Sequence, residues 1–280
     1  MKIDAHQHYW NPARGDYDWM PQDNVTLNRP YRPGDLSPAL RACDIDGTIL
    51  VQAAATVDET EYMLGLTDAT PSIQGVVGWI DFEDPGQLSV LQRLAKHPSF
   101  LGVRPMIQDI PDVNWMLRDD VQWAFRAIVD LDLSFDALGF PKHLANFHAL
   151  LQQYPSMRTV IDHSMKPQIC EAMAGRDAFS DWAKGMTLLA QNTSACCKLS
   201  GLVTEAADGW VTEDLRPFSD HVINTFGSAR VMWGSDWPVC RLQAEYEDWH
   251  DTALSLTEHL SEAERADIFG GTAVRFYRLD

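Results

Sequence analysis

"MKIDAHQHYW", residues 1–10, opens with a short alternating run that reads as a first β-strand over Lys2–His6. On an extended chain Ile3 and Ala5 take one face and Asp4, His6 and His8 the other, so both imidazoles look the same way. The residues directly after this strand decide between two architectures. A dinucleotide-binding doubly wound sheet sends its first strand into a glycine-rich phosphate loop. Here the strand runs into His-Gln-His-Tyr-Trp, with no glycine before Gly15.

Seven more β-branched or apolar runs occur at Thr48–Ala53, Gly75–Ile80, Phe100–Arg104, Leu133–Ala137, Arg158–Asp162, Ala195–Leu199 and Arg230–Gly234. Between them lie segments with helical spacing: Leu36–Cys43, Glu59–Ala69, Gln87–Lys96, Asp120–Leu131, Pro141–Gln153, Pro167–Gln191, Thr212–Phe226, Tyr246–His259 and Glu262–Phe269. Strict alternation of strand and helix predicts a parallel sheet. Eight such units close most simply into a (β/α)8 TIM barrel, a fold that takes ~250 residues as one unit. No linker or repeat divides the 280 residues, so residues 1–280 are read as one domain. The longest irregular segment is Tyr9–Asp35, and loops of that length commonly carry function.

Composition narrows the partners. Forty acidic against 22 basic side chains give a net charge of −18, which repels phosphate backbones and anionic lipid. Neither nucleic acid nor a membrane is expected as a partner, and no run approaches the ~20 apolar residues of a membrane span. The five cysteines are odd in number and irregularly spaced, as for free thiols in a reducing compartment. A cytoplasmic location is the expectation; homo-oligomerisation is left open.

A parallel barrel builds its active site at the carboxyl ends of its strands. Those ends read His6-Gln7-His8, Arg104-Pro105, Asp162-His163, Lys198-Leu199-Ser200 and Gly234-Ser235-Asp236-Trp237. Three imidazoles and a carboxylate, His6, His8, His163 and Asp236, form a ligand set preferred by zinc or a similar divalent ion. Each residue alone has a plainer reading: ordinary strand-end histidines, or a turn aspartate in Gly-Ser-Asp-Trp-Pro. Their joint placement at strand ends one, six and eight favours a shared site. Arg104 either orients a substrate oxygen or pairs with an acidic neighbour. Lys198 either reaches the substrate or serves as a structural ion-pair partner. Trp10, Trp19 and Trp237 either stack on a ligand ring or anchor loops.

With these residues in place, "IDAHQHYW", "YDWM", "GVRP", "CKLSGL" and "MWGSDWPVC" together resemble, in order, segments of the amidohydrolase superfamily. The nearer resemblance is to its L-fuconolactonase-like and L-rhamnonolactonase-like sugar lactonases. It implies hydrolysis of a small 1,4- or 1,5-lactone of a sugar acid, with Asp236 as general base and His163 beside it in the catalytic pair. It also implies one divalent metal, zinc by ligand preference, because Arg104 stands where binuclear relatives carry a bridging lysine. A metal-free variant, in which the histidines act directly as electrophiles, is compatible with the same residues. The alternatives are a metal-dependent decarboxylase of an aromatic or unsaturated acid, and a barrel that binds without turnover.

Overall fold

The computed structural model describes residues 1–279. Its strands are β1 (Ile3–Gln7), β2 (Gly47–Val51), β3 (Ile73–Gly78), β4 (Phe100–Val103), β5 (Ser134–Ala137), β6 (Arg158–Ile161), β7 (Cys196–Leu199) and β8 (Val231–Trp233). They lie in one sheet in sequence order, every neighbouring pair parallel, which is the (β/α)8 TIM barrel. The last gap, between β8 and β1, closes just past the strand ends. His8 N donates to Trp237 O at 2.7 Å, and Asp236 N donates to His6 O at 2.8 Å. The seam of the barrel therefore sets His6, His8 and Asp236 side by side.

The helices are α1 (Pro33–Ala42), α2 (Val57–Thr67), α3 (Leu88–Leu94), α4 (Gln122–Asp130), α5 (Leu144–Gln153), α6 (Ile169–Met173), α7 (Ser180–Asn192), α8 (Leu202–Glu205), α9 (Thr212–Phe226), α10 (Tyr246–Leu256), α11 (Glu262–Ala266) and α12 (Thr272–Tyr277). The single helix expected over Pro167–Gln191 is two, because Gly175 follows α6 with φ 77°, the left-handed glycine that commonly ends a helix. The short α8 had no signal in the sequence. Among the described residues no helix is long and apolar enough to cross a membrane.

One larger apolar core lies between sheet and helices, including Leu50, Val76, Phe135 and Trp233 from the strands and Phe125, Leu150 and Trp249 from the helices. A smaller one fills the barrel interior with Ile3, Ala5, Ile49, Val51, Val77, Val160, Cys196 and Met232. Ala273, Phe276 and Tyr277 of α12 join it. Arg158, at the start of β6, donates through Nη1 to Phe276 O at 2.6 Å, which places α12 at the amino-terminal mouth. That plug is the floor on which the polar site rests.

Strand β1 corrects the simple alternation expected of it. Its register against β2 shifts between Asp4 and Gln7. Ile3 and Ala5 point into the barrel with the histidines, while Asp4 turns outward to accept from Tyr246 Oη at 3.2 Å and Ser235 N at 2.8 Å. A bulge inserts a residue and re-aims the side chains after it. Without that irregularity His6 would share the outward face of Asp4.

Candidate active site

Three imidazoles surround one carboxylate oxygen. Asp236 Oδ1 lies 3.2 Å from His8 Nε2, 3.7 Å from His163 Nε2 and 3.8 Å from His6 Nε2. His6, His163 and Asp236 offer ligand atoms all within 4.8 Å of one another; His8 joins them through Asp236. All four residues are buried. They come from the ends of β1, β6 and β8.

Backbone geometry fixes two of them. Asp236 has φ 56°, and His163 begins a run of four left-handed residues, with φ 51°, 50°, 59° and 48° through Lys166. Each non-glycine residue there costs roughly 1–2 kcal/mol, so the surroundings must impose it. Trp182 Nε1 donates to Ser164 O at 2.8 Å, Ser164 Oγ donates to Lys198 O at 3.2 Å, and Met165 is fully buried. His163 Nδ1 and Ser200 Oγ are 2.9 Å apart, which orients the ring.

Two glycines make room for the imidazoles. A Cβ on Gly201, at φ 66°, would meet the His163 ring at 2.8 Å, and one on Gly234 would lie 2.8 Å from His6 Cβ. Gly234→Ala is expected to displace His6, lowering kcat/KM at least tenfold and stability by about 1–3 kcal/mol, the usual range for overpacking. Steady-state kinetics and a thermal melt on the same preparation check both halves.

Electrostatics separates the carboxylates. Lys198 is fully buried, with Nζ 2.5 Å from Asp136 Oδ2, 3.0 Å from Asp162 Oδ1 and 3.1 Å from His6 Nδ1. Tyr277 Oη, from the α12 plug, donates to Asp136 Oδ2 at 2.9 Å. Arg104 Nη1 lies 3.3 Å from both Asp162 Oδ2 and His6 Nε2, and Nη2 donates to Gln52 O. These contacts point both cations into the barrel floor, the structural alternative for each.

Asp236, by contrast, meets only imidazoles. Burial works against its charge, but His163, the hydrogen bond to His8 and His6 hold its carboxyl below the usual carboxylate range. Burial lowers His163 to about 4, and burial with the Lys198 charge lowers His6 well below an ordinary imidazole. Above those values the rings are neutral. His8 Nδ1–H donates to Val51 O at 2.7 Å, so Nε2 presents Asp236 Oδ1 either a lone pair, in the neutral ring, or an N–H, in the charged one. Two lone pairs 3.2 Å apart call for a proton or a cation between them. The donor set fits a divalent ion, since ligand atoms at ~2.0–2.2 Å from a tetrahedral zinc stand ~3.4 Å apart.

The tryptophans divide. Trp10 is fully buried, its Nε1 donating to Leu27 O and Arg29 O, and its ring backs His8 at 6.1 Å between centroids. Trp237 is buried edge-on against Tyr31. Of the three, only Trp19 is exposed, at 37%, with Nε1 bonded to Ala53 O at 2.6 Å. It lines a cleft of about 900 Å³ that continues past Trp79, Phe82, Pro105 and Trp115; His6, His8, His163 and Asp236 do not line it, and it neighbours them through Trp10, which meets Trp19 edge-on and backs His8. Asp16, Asp18, Asp81, Glu83, Asp109 and Asp112 also line it, against the single cation Arg118. Asp136 and Tyr277, which sequence reasoning missed, support the site from behind, together with Asp162 and Ser200, strand-end residues to which the sequence assigns no role. The partnership of a C-terminal tyrosine with a β5 aspartate has no local signal.

Residues 3–279 match the amidohydrolase family model. An L-fucono-1,5-lactonase of Burkholderia ambifaria is 38% identical over 100% of this chain and 96% of its own, and one of Burkholderia multivorans is 36% identical with the same coverage. A crystal structure of a Burkholderia multivorans amidohydrolase with bound zinc superposes with a TM-score of 0.93 at 35% identity, covering all of both chains. By family match, full-length identity and a shared arrangement of strands, this chain belongs to the amidohydrolase family.

Proposed function

We propose that the protein is a lactonase that opens a neutral sugar-acid lactone, acting in cytoplasmic sugar breakdown. The observation that carries this reading is the convergence of three imidazole Nε2 atoms on Asp236 Oδ1, an ionised carboxylate with no ammonium or guanidinium within 4 Å among the described residues. The full-length likeness to two L-fucono-1,5-lactonases supports the substrate class. Free cysteines throughout the described residues fit a reducing compartment.

Asp236 is the general base. Its Oδ1 takes a proton from water as the water oxygen attacks the lactone carbonyl. The carbon–ring oxygen bond then breaks and the proton passes to the departing alkoxide, so a neutral ester and water leave as one hydroxy acid. His163 stands beside Asp236, its ring fixed through Ser200, and completes the catalytic pair. Arg104 and Lys198 hold His6 in place from either side of its ring. His6, His8, His163 and Asp236 would hold one divalent ion, most simply zinc; when bound, it polarises the carbonyl and stabilises the oxyanion. Trp19 offers an exposed indole face for stacking against the sugar ring.

The acidic cleft favours this reading over decarboxylation of an aromatic acid. Six carboxylates in this neighbouring cleft, on a chain of net charge −18, disfavour an anionic substrate, whereas a neutral lactone is not repelled and release of its carboxylate product is favoured. A pH-indicator screen of aldonolactones, with and without chelator and paired with elemental analysis, tests the proposal. Expected are turnover of at least one sugar lactone, close to one zinc per chain and loss of activity on chelation. Absence of turnover across aldono-1,4- and 1,5-lactones would overturn it.

A further inference from the structure

Two charged side chains on the catalytic rim, Lys166 and Glu205, have no part in general-base hydrolysis by Asp236. Lys166 ends the left-handed turn after β6, three residues beyond His163. Its Nζ sits 5.5 Å from the centroid of the Phe140 ring in the loop after β5. It takes part in none of the ion pairs that tie Arg104 and Lys198 into the barrel floor. Glu205 ends α8, directly after β7, and is half-buried. Its helix α8 packs against α6, which begins three residues beyond Lys166, and burial raises its carboxyl above the ordinary glutamate value, with Lys166 opposing that and Asp236 adding to it.

Neither charge has a salt-bridge partner within 4 Å among the described residues, and a half-buried charge at the carboxyl end of a barrel strand is a group that a ligand can satisfy. An ammonium only donates hydrogen bonds and a carboxylate only accepts them. A hydroxyl does both, so neighbouring hydroxyls on a sugar ring suit a donor and an acceptor held on one side of the rim. A carboxylate substituent would satisfy Lys166 yet meet Glu205 and Asp236, and a bare methylene ring would satisfy neither.

We infer that Lys166 and Glu205 grip ring hydroxyls of the substrate on the β5–β7 side of the mouth and so select polyhydroxylated lactones over unsubstituted ones. The assignment rests on the lactonase reading. It divides the rim into a face for hydroxyls at Lys166 and Glu205 and an indole face at Trp19. The left-handed turn has a purpose beyond aiming His163, because the same four residues carry Lys166 to the opening.

The test compares kcat/KM for a six-carbon aldono-1,5-lactone with that for δ-valerolactone, in the wild type and in Lys166→Met, Lys166→Arg and Glu205→Gln. A far-UV spectrum and a thermal melt of each variant accompany the kinetics. The expected result is that Lys166→Met lowers the ratio of the two kcat/KM values at least tenfold, mainly through KM for the sugar lactone, as for loss of a hydrogen bond to substrate. Glu205→Gln lowers it less, and Lys166→Arg restores part of it. Equal losses on both lactones would show a general structural effect and overturn the assignment, as would an unchanged ratio in both Lys166→Met and Glu205→Gln. A wild type that opens neither lactone would overturn the lactonase reading itself, a distinct outcome.

Discussion

Asp236→Asn is expected to lower kcat/KM on every accepted lactone by about 10³, within the 10²–10⁴ that a positioned general base supplies. The substitution keeps shape and removes charge, so nothing else at the rim need move. An amide cannot take the proton of attacking water, and it also subtracts the one anion among the three imidazoles. Metal content is therefore expected to fall in the same variant. Activity equal to that of the parent would refute the mechanism, since among the described residues no other carboxylate meets His6, His8 and His163 together.

The acid limb of the wild-type pH profile belongs to the imidazoles. Asp236 stays ionised below the usual carboxylate range, whereas His163 gains its proton near 4. Activity should hold at neutral pH and fall as pH drops through about 4, because a protonated ring offers no lone pair. Stability moves in the same direction. An unfolded histidine binds its proton near 6.5 and the folded His163 only near 4, so the unfolded state holds more protons between those values. Folding free energy is lost as pH falls through that window, which a series of melts between about pH 7 and pH 4 would record.

The barrel was legible because each strand is a short apolar run separated from the next by a segment of helical spacing, and each of the eight expected segments overlaps an observed strand. The chemistry-bearing residues were legible for the same reason, since strand ends in this fold face one rim. The features that stayed hidden depend on contacts distant in sequence. Strict period-two alternation placed Asp4 with His6, but the bulge after Asp4 separates them. Lys198 and Arg104 are polar residues at strand ends, and from sequence alone an inward ion pair looks the same as an outward substrate contact. The structure adds the ion pairs, with β5 and β6 bringing Asp136 and Asp162 against Lys198, and Asp162 against Arg104. Trp10 and Trp237 pack into the loop's aromatic cluster because they have Tyr31 beside them, and Trp19 stays open because its indole N–H is already held by Ala53 O.

Lys198→Met carries the largest expected stability effect in the molecule. Its ammonium touches Asp136, Asp162 and His6 with no exposure to water, and among the described residues no other cation reaches Asp136. Removing one partner from a buried charge pair costs about 3–5 kcal/mol, because Asp136 is then left with neither a cation nor water, while Asp162 keeps Arg104. At roughly 2–4 °C per kcal/mol for a chain of this size, the melting temperature should fall by about 10 °C. The double variant Lys198→Met/Asp136→Asn should recover part of that loss, since the amide removes the stranded charge and can still accept from Tyr277 Oη. Kinetics adds a second criterion. A lysine that only bound substrate would, when replaced, raise KM and leave the melt unmoved. A lysine that positions His6 loses kcat together with stability, and the double variant regains stability while kcat stays low, because asparagine removes the stranded charge but His6 Nδ1 then meets only Asp162 Oδ1, at 3.4 Å, and not the ammonium. An unchanged melting temperature with a raised KM would return Lys198 to the substrate side of the site.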